Sequence, residues 1–78
     1  MSMEKVETPE LGKTYNLRHR RFGRANVKVI QLDETWLEVL IEAGTLRGAA
    51  DEWGPGEKKM LRREHCYLTE TGKQAHAE

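Results

Sequence analysis

The stretch Arg24-Ala25-Asn26-Val27-Lys28-Val29-Ile30-Gln31-Leu32 carries the clearest pattern in the chain. Ala25, Val27 and Val29 alternate with Arg24, Asn26 and Lys28, which is the period of a half-buried β-strand. After Val29 the phase slips, and Ile30 and Leu32 join the other face. A slip of that kind is expected where a strand contains a bulge and bends out of one sheet toward another.

The flanking segments fit the same reading. Lys13-Thr14-Tyr15-Asn16-Leu17 alternates with Tyr15 and Leu17 in phase and follows Gly12, which predicts a short strand. His19 to Gly23 is basic and ends in glycine, so it predicts a loop or bend. Asp33 to Thr35 predicts a turn. The next segment, 36–43, reads two ways. As a strand, Leu37, Val39 and Ile41 alternate with Trp36, Glu38, Leu40 and Glu42. As a helix, Trp36, Leu37, Leu40 and Ile41 form one stripe, Thr35 and Glu38 make a capping box, and Gly44 stands at the stop position. Eight residues are short for a helix without packing support, and β-structure on either side favours the strand. Trp36 is expected in the core.

Thr45 to Ala49 predicts a further short strand, and Asp51 to Gly56 predicts a turn, with Pro55 between Gly54 and Gly56. Glu57 to Leu61 and Cys66 to Leu68 predict two more strands, joined by a tight corner at Arg63-Glu64-His65. Five short strands with frequent turns imply an all-β chain that closes, or half closes, into a small barrel with few free edges.

The chain has 78 residues, enough for one domain. Flexible tails are expected at 1–10, where Glu4, Glu7 and Glu10 stand among Ser, Thr and Pro, and at 71–78, where alanine is the one apolar type. The domain then spans 11–70. A core segment of roughly 60 residues buries only about 60% of its unfolded surface, and its stability is expected to be about 3–5 kcal/mol.

The run Tyr15-Asn16-Leu17-Arg18-His19, the Phe22-Gly23-Arg24 corner before Val27-Lys28-Val29-Ile30, and Leu61-Arg62-Arg63-Glu64-His65-Cys66 resemble short uncharacterised proteins of bacterial phages, prophages and plasmids. The resemblance covers most of residues 11–70. It implies an SH3-like five-stranded barrel and a mobile-element origin, and it carries no functional residues with it.

Several function classes receive no support from the residues. Cys66 is the sole cysteine, so neither an internal disulfide nor a cysteine-based zinc site is expected within one chain. His65 and Cys66 are sequence neighbours and point to opposite faces of a strand. The Gly54-to-Lys59 run lacks the spacing of a phosphate-binding loop. No catalytic centre, metal or cofactor is expected. The N-terminus has no apolar segment of the signal-peptide kind, and no run approaches the ~18 apolar residues of a membrane span. A cytoplasmic protein with no membrane partner is therefore expected.

The formal net charge is zero, but the charges are segregated. Between Glu10 and Asp33 there is no acidic residue, while Lys13, Arg18, Arg20, Arg21, Arg24 and Lys28 are basic. Asp33, Glu34, Glu38 and Glu42 follow with no base among them. Arginine pairs bidentately with phosphate and carboxylate and stacks on planar groups. Arg18, Arg20, Arg21, Phe22, Arg24 and Lys28 are therefore the candidate contact for nucleic acid or an acidic partner. The plain alternative is a solvated basic loop paired with Glu34, Glu38 and Glu42 of the same chain. Trp53, in its glycine-rich turn, is the candidate anchor of a protein interface. Opposed basic and acidic edges also permit a homodimer. The expected function is a small non-enzymatic binding module, an accessory protein acting by protein–protein contact; the alternative is a nucleic-acid binder using the basic 18–28 stretch.

Overall fold

The computed structural model describes residues 8–71. Residues 1–7 and 72–78, which make up most of the two expected tails, lie outside the described residues. Pro9 is buried, and the Glu10 amide donates to the Tyr15 hydroxyl at 2.9 Å.

The chain forms strands β1 (Thr14–His19), β2 (Gly23–Leu32), β3 (Trp36–Gly44), β4 (Leu46–Arg47), β5 (Glu52–Trp53), β6 (Lys58–Arg62) and β7 (Cys66–Glu70). A 3-10 turn at Arg63–His65 joins β6 to β7. Five strands make one sheet in the order β6-β3-β2-β1-β7, and β4 with β5 makes a two-stranded hairpin. All pairings are antiparallel. The edges β6 and β7 do not pair with each other, so the sheet is open. The all-β class read from the sequence is what forms, and 36–43 is strand. No helix among the described residues is long and apolar enough to cross a membrane.

One face of the sheet holds the core. Tyr15 and Leu17 of β1, Ala25, Val27 and Val29 of β2, and Leu37, Val39 and Ile41 of β3 are all buried. Leu61, Cys66 and Leu68 extend the core to the edges. Burying each Val or Leu side chain contributes about 1.5–3 kcal/mol, so this layer supplies the main driving force for the fold.

The slip in β2 is a bulge. Val29 pairs with Val39 and Gln31 with Glu38, which leaves Ile30 as the extra residue. A second irregularity lies on β3: Asn26 pairs with Ala43 and Val27 with Ile41, leaving Glu42 over. The bulge at Ile30 changes where Leu32 goes. Simple alternation sends Leu32 to the outer face; the extra residue resets the phase, so Leu32 sits opposite Leu37 and packs on the core.

The β2–β3 turn is held by Asp33, whose Oδ1 accepts from the Thr35 amide at 2.9 Å and the Trp36 amide at 2.8 Å. These two N–H groups hold the Asp33 carboxyl below its ordinary pKa.

Two expectations are overturned here. Trp36 is 43% exposed, not in the core. Its neighbour Leu37 is buried, and strand alternation then sends Trp36 to the outer face, where the Arg62 guanidinium lies 5.4 Å from its ring. The 51–56 stretch is not turn throughout, because Glu52 and Trp53 pair with Arg47 and Leu46.

The β4–β5 hairpin closes one end of the core. Leu46 is fully buried, and the Arg47 amide donates to the Phe22 carbonyl at 2.9 Å. Gly44, with φ +89, lets β3 leave the sheet toward β4; a Cβ there would come within 3.2 Å of the Ala25 backbone. Leu46→Ala is expected to cost about 3 kcal/mol, most of the margin available to a domain this small. Urea unfolding followed by tryptophan fluorescence measures it. A midpoint shift near zero would mean that the hairpin does not cap the core.

Candidate anion-binding face

The candidate residues are divided between the outer face of the sheet and the turn that joins β1 to β2. The turn is closed by His19 opposite Gly23, leaving Arg20, Arg21 and Phe22 as a three-residue loop. Gly23 has φ +95, the left-handed conformation that such a hairpin loop requires at its closing position. The loop's own amides are satisfied by a side chain. His19 Nδ1 accepts from the Arg21 amide at 3.0 Å and the Phe22 amide at 3.2 Å. The Arg20 amide donates to the His65 carbonyl at 3.1 Å, which ties the turn to the end of the sheet.

The His19 ring is buried, at 5% exposure. It stacks on Phe22 at 4.3 Å between centroids, and His65 meets its edge at 5.6 Å. Phe22 in turn packs against Trp53 at 5.4 Å, and Lys59 Nζ lies 4.1 Å from the Trp53 ring centroid. Phe22 and Trp53 are thus half-buried parts of one cluster that fastens the β4–β5 hairpin to the β1–β2 turn. Gly48 packs directly on the Trp53 ring, where an added Cβ would be 3.2 Å from it.

Arg18 and Arg24 lie elsewhere. Both are on strands, flank the turn, and are direct cross-strand partners. Arg18 is also the partner of Tyr67 on β7. The row Tyr67–Arg18–Arg24 therefore crosses β7, β1 and β2 on the face opposite the core. The next row is Thr69–Asn16–Asn26. Lys28 continues this face opposite Thr14. The Arg18 and Asn16 rows contain no carboxylate, whereas Glu42 of β3 reaches the Thr14–Lys28 row. A shallow, open depression of about 350 Å³ is lined by Asn16, Leu17, Arg18, Arg24, Tyr67 and Thr69.

Among the described residues, no ion pair involves Arg18, Arg20, Arg21, Arg24 or Lys28. The alternative, internal pairing with Glu34, Glu38 and Glu42, is not made among the described residues; Glu42 instead accepts from the Thr14 hydroxyl at 2.8 Å. Like charges directly opposite each other on neighbouring strands destabilise a sheet, and no carboxylate in its row offsets the Arg18–Arg24 pair. No group of three or more His, Cys, Asp or Glu among the described residues could hold a metal ion.

The turn carries Arg20 and Arg21 at its exposed tip, separate from the Arg18–Arg24 row but continuous with it at one end of the sheet. Tyr15, the aromatic next to the basic stretch in sequence, is buried at 1% exposure and has its ring in the core. The exposed aromatic beside the arginines is Tyr67, at 39%. Alternation about Cys66 and Leu68 already places Tyr67 outward, but only pairing to β1 sets it beside Arg18. His19 had a weaker signal, as a short-reach acceptor just before a loop that ends in glycine.

Comparison of the chain with protein-family models, with curated proteins and with solved structures finds no match.

Burial lowers the His19 pKa below 6.5, and His65 on the 3-10 turn, Lys59 on β6, and Arg21 and Arg20 on the loop add to the shift. The folded state therefore favours the neutral ring, whose Nδ1 must be unprotonated to accept two amides. Stability from this group is complete above the unfolded value of 6.5 and is lost as pH falls from there through the depressed folded value. The melting temperature is expected to fall on acidification below pH 6.5, and His19→Ala is expected to flatten that fall while lowering stability by about 2 kcal/mol. Thermal melts from pH 8 to pH 5 provide the check. An equal slope in both proteins would remove His19 as its source.

Proposed function

We propose that this chain is a small non-catalytic binding module whose β7–β1–β2 face binds nucleic acid through Arg18, Arg24 and Lys28, with Arg20 and Arg21 at its margin. The observation that carries this reading is the Arg18–Arg24 cross-strand pair, which faces solvent with no carboxylate in its row. An anionic backbone seated there offsets the repulsion that the folded sheet otherwise retains. The neutral net charge is compatible with this, because no acidic residue lies between Glu10 and Asp33, the stretch that forms β1 and β2.

The fold, on the same proposal, is SH3-like. Support comes from the strand order β6-β3-β2-β1-β7, from the return of the last strand to pair with the first, and from the 3-10 turn that separates the last two strands of the sheet. The resemblance to short phage and plasmid proteins supports an accessory role in a mobile element, and with it a cytoplasmic setting.

A second reading, protein–protein contact, is favoured by a different surface. Trp36 and Met60 are 43% and 49% exposed and lie on the outer side of β3 and β6, at the far end of the sheet order from β7. Trp53, the anchor expected from the sequence, is occupied by Phe22, Gly48 and Lys59, so an interface is better centred on Trp36 and Met60.

The two readings separate by salt. Contact with four or five phosphates gives a log–log salt slope of about −4 on duplex and about −3 on a single strand. Replacing Arg18 and Arg24 together by Gln is expected to weaken binding at least tenfold and to make the slope shallower by about 1–2. Fluorescence anisotropy with labelled oligonucleotides at two salt concentrations measures both. Trp36→Ser is expected to leave this binding unchanged. Loss of binding in that variant, with the arginine variant intact, would move the contact to the second surface.

A further inference from the structure

Strand β6 is bonded to β3 on one side and to no strand on the other. We infer, on the basis of the protein-contact reading, that this edge takes up an extended acidic segment of a partner protein as a further antiparallel strand, with carboxylates against Lys58 and Arg62 and an apolar side chain against Met60.

The backbone defines the edge. The Ile41 amide donates to the Glu57 carbonyl and the Arg63 amide to the Thr35 carbonyl, both at 2.9 Å, and these two bonds bracket the β3–β6 register. Bonded and non-bonded positions alternate along an antiparallel pair. Lys59 and Leu61 therefore turn their main-chain groups to β3, and Lys58 and Met60 turn theirs the other way. Among the described residues, no strand meets the N–H and C=O groups of Lys58 and Met60. The Arg62 carbonyl, next in that series, accepts from Cys66 Sγ at 3.3 Å, which marks the end of the free edge. An added strand supplies a main-chain partner for each group of Lys58 and Met60.

The side chains say what kind of strand. Lys58, Met60 and Arg62 share the outer face, opposite Leu40, Glu38 and Trp36. The order along the edge is cation, apolar, cation, at about 6.6 Å intervals. Met60 is 49% exposed, and Trp36 is 43% exposed beside Arg62. Among the described residues Lys58 is in no ion pair, and Arg62 meets Glu64 at 3.8 Å with both side chains exposed, a contact of little worth that a closer carboxylate can replace. A strand with acid, apolar and acid at alternate positions sets opposite charges directly across from Lys58 and Arg62 and covers Met60, and each such pair stabilises a sheet. A second copy of this chain does not match. Two β6 edges paired about a two-fold axis at Met60 put Lys58 of one copy opposite Arg62 of the other, and like charges directly opposite are destabilising. The cations that keep the edge from its own copy thus favour a carboxylate-bearing strand. A nucleic acid offers the charge but no row of amide donors and carbonyl acceptors for Lys58 and Met60.

The test titrates the isotope-labelled full chain with a synthetic peptide carrying Glu-Thr-Leu-Thr-Glu at its centre, read by amide NMR and hydrogen exchange. The peptide is expected to shift the Trp36, Lys58 and Met60 amides and to slow exchange at Lys58 and Met60 about tenfold. Lysine in place of both glutamates, or N-methylation of the leucine amide, is expected to weaken binding about tenfold. Lys58→Glu with Arg62→Glu is expected to reverse the preference between the acidic and basic peptides, with thermal melts confirming that each variant is folded. Binding that survives N-methylation but is lost in Trp36→Ser overturns strand addition and leaves the protein-contact reading in place. Protection of Lys58 and Met60 that is unchanged in Trp36→Ser upholds the edge and overturns Trp36 as a centre of the contact. Equal binding of acidic and basic peptides, or no shift at millimolar acidic peptide, overturns the acidic strand as occupant. Exchange at Lys58 and Met60 that slows with protein concentration alone assigns the edge to a second copy and overturns it as well.

Discussion

The register of β1 against β2 is set where the chain reverses, at Arg20–Phe22, and the rest of the molecule depends on it. His19 Nδ1 accepts the two loop amides and Gly23 takes up the positive φ, so the hairpin closes with His19 opposite Gly23. From that pair outward, Leu17 meets Ala25 and Tyr15 meets Val27 on the core face, while Arg18 meets Arg24 on the other. A slip of one residue would exchange the two faces, turning buried residues out and arginines in. One turn therefore specifies both the packing of the core and the position of the charges. The same turn also receives the β4–β5 hairpin, through Phe22 against Trp53 and the Arg47 amide on the Phe22 carbonyl.

The outer face is divided by charge. Over β7, β1 and β2 it carries arginine, lysine, asparagine and threonine. Over β3 it carries Glu38 beside the exposed Trp36, and the edge strand β6 adds Lys58 and Arg62. Cations along an edge strand discourage pairing with another sheet, which accounts for those on β6 in structural terms. That reason does not extend to Arg18 and Arg24, which lie on interior strands and face each other at a cost. The functional proposal rests on them for this reason, and not on the charge of the chain as a whole.

Much of the strand content was legible because it rests on alternation. Ala25, Val27 and Val29, then Leu37, Val39 and Ile41, needed no tertiary information to be placed on one face. The bulge at Ile30 was visible as a break in phase, although its consequence for Leu32 was not, since that depends on which β2 residue is left unpaired against β3. Trp36 is misplaced by the helical stripe, in which it sits beside Leu37; in a strand the two are on opposite faces. The pairing of Glu52 and Trp53 with β4 was hidden by the glycines after it, because a two-residue strand has too few residues to show a period. The basic stretch was legible as a candidate, but in sequence it reads as a loop. Pairing across β1 and β2 divides it into a row on the sheet and a turn beyond it. Tyr67 and His19 do not stand out in the sequence, since their importance comes from neighbours 49 and 2–3 residues away.

Whether the Arg18–Arg24 face of β7, β1 and β2 is the binding surface can be read from a two-dimensional amide NMR titration. The labelled protein is titrated with a short single-stranded oligonucleotide at low salt. If that face binds, the largest shifts map to Asn16, Arg18, Arg24, Tyr67 and Thr69, with the β6 edge unmoved. Shifts centred on Trp36 and Met60, or none at all at saturating oligonucleotide, would contradict it.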